Sequence, residues 1–381
     1  MLHLRRNALF PLLAAASLAP FGCSSPSESD VVPAPVRRSP ALTPPIPCAR
    51  AADDLILPGE DHFAHLWRVS DGVENAAEGY WSFDGQRLCY QATPRDAQCD
   101  RIYTSGTDAA APVLISSERG VTTCSYFLPD GKHLLYSSTH AYQADCPHRP
   151  DMSKGYVWSV HPEYDIYLRD LETGRDRPFT TSFGYDAEAT VSPRGDRIVF
   201  TSTRGGDLDL WTCDLEGNDL VQVTKTPGYD GGAFFSPDGA WIVFRSSAFT
   251  AGKEEAEIAD YRALLDDWKV RPTKMEIQLV RPDGSDRRQV TKLGRASFAP
   301  FFFPDGKRIV FASNYEDPSQ SGRNFDLYAV DVDGKNVERI TQYDSFDAFP
   351  VFSPDGKWLV FASNRGGSHP RETNLYLAQW Q

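Results

Sequence analysis

The chain has 381 residues, of which 41% are hydrophobic, 12% aromatic and 24% charged. The apolar share is too high for a disordered chain, and 28 glycines are too few for collagen. A formal charge of −13 argues against a nucleic-acid partner held by phosphate contacts. Only 3 Met stand beside 8 Trp, 16 Tyr and 22 Phe, a mix that favours aromatic-rich strands over long helices.

Residues 1–22 read as an export signal. Arg5 and Arg6 precede an uncharged apolar run from Ala8 to Phe21 that is too short to span a bilayer comfortably. Gly22-Cys23 then resembles a bacterial lipobox with Cys23 as the lipidated residue, ordinary signal cleavage after Ala16 or Ala19 being the alternative. Residues 23–61 are expected to form a Cys-anchored, Pro- and Ser-rich tether. The expected location is therefore the periplasm, with or without a lipid anchor to the outer membrane, and a lipid chain is the only membrane contact expected.

From residue 62 a repeat takes over. An apolar stretch, a Pro-Asp-Gly-like turn and a hydrophobic strand recur six times, with turn glycines at Gly85, Gly131, Gly195, Gly239, Gly306 and Gly356. Ser236-Pro237-Asp238-Gly239 and Ser353-Pro354-Asp355-Gly356 show the turn in full. Proline presets φ and glycine accepts positive φ, so the motif predicts a tight hairpin. A third strand such as Asp326-Leu327-Tyr328 and a fourth such as Glu338-Arg339-Ile340-Thr341 complete each unit. Four-stranded antiparallel units cannot bury both faces alone, and radial stacking buries them. The expected fold is all-β, a six-bladed β-propeller over 62–381. The last repeat ends after its third strand, and His65-Leu66-Trp67-Arg68 matches a fourth. The N-terminal strand should therefore complete the last blade, leaving no open edge.

The Ser-Pro-Asp-Gly turns, Ser363-Asn364-Arg365-Gly366-Gly367 and the Asp-Leu-Tyr strands resemble the TolB-type propeller repeat of bacterial envelope proteins. The resemblance implies a non-catalytic scaffold, expected as a monomer, that binds an envelope protein or peptide. The tether leaves no room for the additional N-terminal α/β domain of TolB. TolB's own partners, the peptidoglycan-associated lipoprotein and TolA, are therefore not carried over.

Loops joining second to third strands, and blade to blade, share one propeller face. The long insertions all fall there: about Thr139–Tyr164 in blade two, Ser247–Lys274 in blade four and Asn314–Asn324 in blade five. Such elaboration points to a binding face. In the blade-four insertion Ile258, Tyr261, Leu264, Leu265 and Trp268 recur at helical spacing, predicting a helix packed on the rim or serving as a lid.

Residues seven and nine positions before each turn glycine begin the innermost strands and should ring the channel mouth. Five carboxylates, Glu78, Asp186, Glu188, Asp230 and Asp347, are expected to converge there, with Thr122 and Phe349 completing the binding set. Such a ring suits Ca²⁺ or Mg²⁺, a basic partner segment, or a merely solvated acidic funnel. No bound cofactor is otherwise expected. The alternative function is a divalent-metal-dependent lyase or hydrolase acting on saccharide or peptide at these carboxylates. Neither a Gly-x-Ser-x-Gly elbow nor a P-loop occurs.

Cys89 and Cys213 align with valines of second and third strands and should be core residues. Cys99, Cys124 and Cys146 are disulfide candidates on the loop face, with Cys124–Cys146 the pair that would pin the blade-two insertion. His140, His148 and His161 beside these cysteines make a zinc site the competing reading.

Overall fold

The structure, a computed structural model, describes residues 38–106, 111–153, 155–317 and 322–381. The expected export signal and Cys23 lie outside the described residues. Six antiparallel sheets form the blades, and in the first five the strands run from the axis to the rim in sequence order. Their innermost strands are Val73–Trp81, Thr122–Phe127, Asp186–Val191, Asp230–Phe235, Ser297–Phe302 and Asp347–Phe352. This is the expected six-bladed propeller.

The repeat's residues each have a mechanical task. In the turns, Ser82, Ser236 and Ser353 donate their hydroxyls to Asp84, Asp238 and Asp355 at 2.6, 2.5 and 2.7 Å. The same carboxylates accept the backbone N–H two residues on, at 3.0 to 3.1 Å, which closes the Asx turn. Gly195 and Gly356 hold φ of 68° and 70°, and a Cβ on either would meet the turn proline of the preceding blade at 3.0 Å. Glycine is required there for both backbone and packing reasons.

Fourth strands are anchored by one hydroxyl per blade. Ser116, Thr180, Thr224, Thr291, Thr341 and Ser70 accept the N–H of Ile102, Ile166, Leu210, Ile277, Leu327 and Leu375 at 2.8–3.0 Å. Several of these hydroxyls donate in turn to the residue heading the third strand, as Thr291 does to Glu276 (2.6 Å) and Thr341 to Asp326 (3.3 Å). That relay explains why Asp precedes Leu-Tyr in the repeat. Between the sheets, Val199, Val243, Val310 and Val360 are wholly buried, as is Cys89, with Cys213 almost so. Both cysteines are core residues, as expected.

Phe63–Arg68 pairs antiparallel with Asn374–Trp380, Trp67 opposite Leu377, and completes blade six. Arg50–Ala51 adds a fifth strand outside it. The folded body begins earlier than residue 62, near Arg38. Leu42 donates its N–H to Gln379 Oε1 at 2.8 Å, Gln379 Nε2 donates to Pro40 O at 2.9 Å, and Ile46 is fully buried. The Pro-rich composition hid this, because isolated apolar residues dock on blade six without any period of their own.

Ring closure is locked by charge. Arg365 sits between Glu60 of the N-terminal segment and Asp347 of blade six, at 2.9 and 2.7 Å, with no side chain of the three more than 1% exposed. The blade-four helix, α1, spans Glu254–Leu265 and ends before Trp268, whose φ is 53°. Tyr261 is its buried residue and donates its hydroxyl to Asp207 at 2.5 Å, so α1 packs on the propeller along the expected stripe.

Candidate functional site

The six residues seven positions before the turn glycines share one backbone conformation. Glu78, Cys124, Glu188, Gly232, Ala299 and Phe349 have φ between 48° and 62°. Each marks a bulge, seen as a register shift against the second strand such as that between Ala187 and Thr190. A bulge re-aims a side chain at a cost in strain of ~1–3 kcal/mol. Here it turns all six toward the axis, where they line a cavity of about 30 Å³. That is room for a water or two. Toward the turn face the bore is filled by Tyr80, Tyr126, Phe234 and Phe301, with successive ring centroids 5.1 to 6.3 Å apart.

The expected convergence of five carboxylates does not occur. Asp186, Asp230 and Asp347 point away from the bore and are neutralised by Arg204 (2.8 Å), Arg287 (2.9 Å) and Arg365 (2.7 Å). Thr122 is fully buried and donates to Asp100 O at 2.9 Å. In a regular strand, residues two apart share a face. The bulge breaks that relation, sending the residue at position seven to the axis while the one at position nine stays in the blade. Only Glu78 and Glu188 of the five reach the channel.

Those two carboxylates differ. Glu188 accepts from Tyr229 Oη (2.7 Å), Thr201 Oγ1 (2.7 Å) and Gly232 N (2.8 Å), and pairs with Arg245. Burial alone would raise its carboxyl, but Arg245 and these donors outweigh it and hold it below the usual range. Glu78 has only neutral partners, the Tyr80 hydroxyl at 3.3 Å and the Cys124 thiol, and burial pushes its carboxyl up to about 7. Burial, with Glu78 and Glu188 nearby, also drives the Cys124 thiol well above its ordinary value, so it is a poor nucleophile while the bore stays covered.

A feature absent from the expectations covers the loop-side mouth. Trp158–Ser159 of the blade-two insertion pairs with Lys269–Val270 of the blade-four insertion in a short antiparallel ribbon. Trp158 lies edge-on to Tyr229 and to Phe298, both at 6.3 Å, and the Arg245 guanidinium sits 5.4 Å from its ring. Phe298 belongs to blade five, opposite blade two in a ring of six. The insertion therefore crosses the axis, and Trp158 caps the bore. Two-residue strands leave no periodic signal, which is why sequence reasoning missed the ribbon.

Around the cap the loop face is aromatic and exposed. Phe183 is 86% exposed with its ring 6.1 Å from Trp268, Tyr156 is 54% exposed and accepts from Trp158 Nε1 at 3.0 Å, and Tyr142 is 61% exposed. Cys99 and Cys146 form the disulfide, with Cα atoms 5.8 Å apart, tying the blade-one loop to the blade-two insertion. The expected Cys124–Cys146 pair is corrected: Cys124 is free, because its bulge turns it into the bore. With Cys146 bonded, and His140 packed 4.2 Å from Tyr167, the zinc set does not assemble. Among the described residues no three His, Cys, Asp or Glu side chains group as metal ligands. No helix among them is long and apolar enough to cross a membrane.

Residues 268–371 match the family model described as the TolB beta propeller domain. The TolB-assigned protein of Agrobacterium tumefaciens superposes with a TM-score of 0.51 at 20% identity, over 80% of this chain and 90% of that one. TolB of Acinetobacter baumannii gives 0.48 at 20% identity, over 82% of this chain and 66% of that one. An oligogalacturonate lyase in complex with manganese gives 0.49 at 17% identity, over 87% and 96%. In repeat and in fold, the chain is a TolB-like β-propeller.

Proposed function

We propose that this protein is a non-catalytic, exported binding propeller that engages a protein or other envelope component through its loop face. The observation that carries the reading is the exposure of Tyr156, bonded to the Trp158 cap, and of Phe183, packed on Trp268 beside the ribbon, with Tyr142 also exposed on the blade-two insertion. Large aromatics left in water beside a rigid scaffold mark an interaction surface. The bore beneath offers about 30 Å³, too little for a sugar or peptide unit, and three of the five candidate carboxylates are committed to arginines. These features favour a binding scaffold over a metal-dependent lyase or hydrolase.

The test is capture from the native envelope with the Phe183→Ser/Tyr156→Ser variant beside the parent protein. Partners retained by the parent and lost by a folded variant support the reading. Equal capture by both would overturn the loop face as the binding surface, and stoichiometric divalent metal lost on Glu188→Ala would overturn the reading in favour of the enzyme. Export and lipidation rest on residues 1–23 and are tested by Cys23→Ser, which should move the protein from the membrane to the soluble fraction.

A further inference from the structure

A second cavity, of about 240 Å³, lies away from the channel, on the turn face between blades four and five. Its cause is local. Two residues after the turn glycine, blades one, three and five carry Arg87, Arg197 and Arg308, whose side chains reach nearby acceptors. Blade six carries Trp358, buried edge-on against Trp67 at 5.3 Å. Blade four carries Trp241, which instead packs against two guanidinium groups, Arg281 at 3.8 Å and Arg288 at 4.5 Å from its ring. Folded back in this way, it leaves the cleft toward blade five empty.

The lining is amphipathic in a specific manner. Leu279, Phe302 and Trp241 form an apolar floor, and Asp238, Asp305 and Arg288 stand around it. Arg281 is engaged by Asp286 and by Ala240 O. Arg288 differs: among the described residues its guanidinium has no hydrogen bond and no ion pair, and only the Trp241 ring orients it. Asp238 and Asp305 each spend one oxygen on their own turn, accepting from Ala240 N and Lys307 N at 3.0 and 2.9 Å. The other oxygen of each accepts no bond from the described residues.

We propose that this cavity binds a single apolar α-amino acid as its zwitterion. Its carboxylate meets Arg288, its ammonium meets Asp238 and Asp305, and its side chain covers Phe302 and Leu279. The volume, about 240 Å³ against about 30 Å³ in the bore, suits a ligand the size of one residue. Two carboxylates beside one guanidinium disfavour a ligand that is only anionic, and the floor disfavours a purely polar one. The site shares no residue with the loop face, so it stands or falls independently of the proposed function.

The experiment is calorimetric titration of the whole protein with leucine and with phenylalanine, beside N-acetyl-leucine and leucinamide, which each lack one charge. Saturable binding of the amino acids, with either blocked analogue weakened about tenfold or more, is expected from the loss of a charge-assisted hydrogen bond. Arg288→Gln and Asp305→Asn should each weaken leucine by a similar factor, and both are surface changes that leave the fold intact by circular dichroism. Absence of saturable binding by either amino acid at millimolar concentration overturns the proposal. So does binding that Arg288→Gln leaves unchanged.

Discussion

Arg365→Met tests how the ring is closed. The substitution removes five hydrogen bonds from one buried guanidinium: to Leu55 O (3.2 Å), Glu60 Oε2 (3.0 Å) and Oε1 (2.9 Å), Asp347 Oδ2 (2.7 Å) and Ser363 Oγ (3.1 Å). Methionine fills much of the volume, so the dominant effect is two carboxylates left buried without a cation. Breaking such a pair from one side costs ~3–5 kcal/mol. Burial already raises the Asp347 carboxyl and Arg365 opposes that rise, so its loss raises the group further. A carboxyl raised in the folded state is neutral and harmless at low pH. Its penalty grows as pH climbs from the ordinary carboxylate value through the raised folded one. Urea unfolding of the variant should therefore show the larger deficit at pH 8 and a smaller one at pH 5. Adding Glu60→Gln and Asp347→Asn should recover most of the loss, and limited proteolysis should cut the single variant first around residues 52–62. A deficit below about 1 kcal/mol at pH 8, with no gain from the added amides, would refute the reasoning, since a buried unpaired charge cannot be that cheap.

Three further outcomes are expected. Cys99→Ser/Cys146→Ser opens a loop of 47 residues, worth up to about 4 kcal/mol of stability by chain entropy, whereas Cys124→Ser leaves the disulfide in place by mass spectrometry. Glu78, raised to about 7, costs the parent stability as pH rises from near 4.5 toward 7; Glu78→Gln should flatten that part of the melting-temperature profile, and an unchanged profile would contradict it. Trp158→Ala should uncover the bore and speed maleimide labelling of Cys124 at least severalfold, while equal rates in both proteins would show that Trp158 is not the cap.

Much of this architecture was legible in the chain itself. Six copies of one turn, each with a glycine that must hold positive φ against the preceding blade, dictate the unit and its number, because the repeated residues serve local geometry. The matching of His65-Leu66-Trp67-Arg68 to other fourth strands dictates the closure for the same reason. The core roles of Cys89 and Cys213 follow from alignment to valines. What tertiary structure alone decided lies where the period breaks or distant segments meet. The bulge at Glu188 and its five counterparts separates residues that a regular strand would keep on one face, so Asp186, Asp230 and Asp347 left the channel and met arginines. The same bulge took Cys124 out of reach of Cys146 and left Cys99 as its partner. Ile46, Trp158 and Arg288 carry no local signal, since the first docks on blade six, the second crosses to the opposite blade, and the third matters only because Trp241 vacates a cleft. Local residues determine the blade. Contacts between segments far apart in the chain determine what faces the axis, what covers it and which clefts stay open.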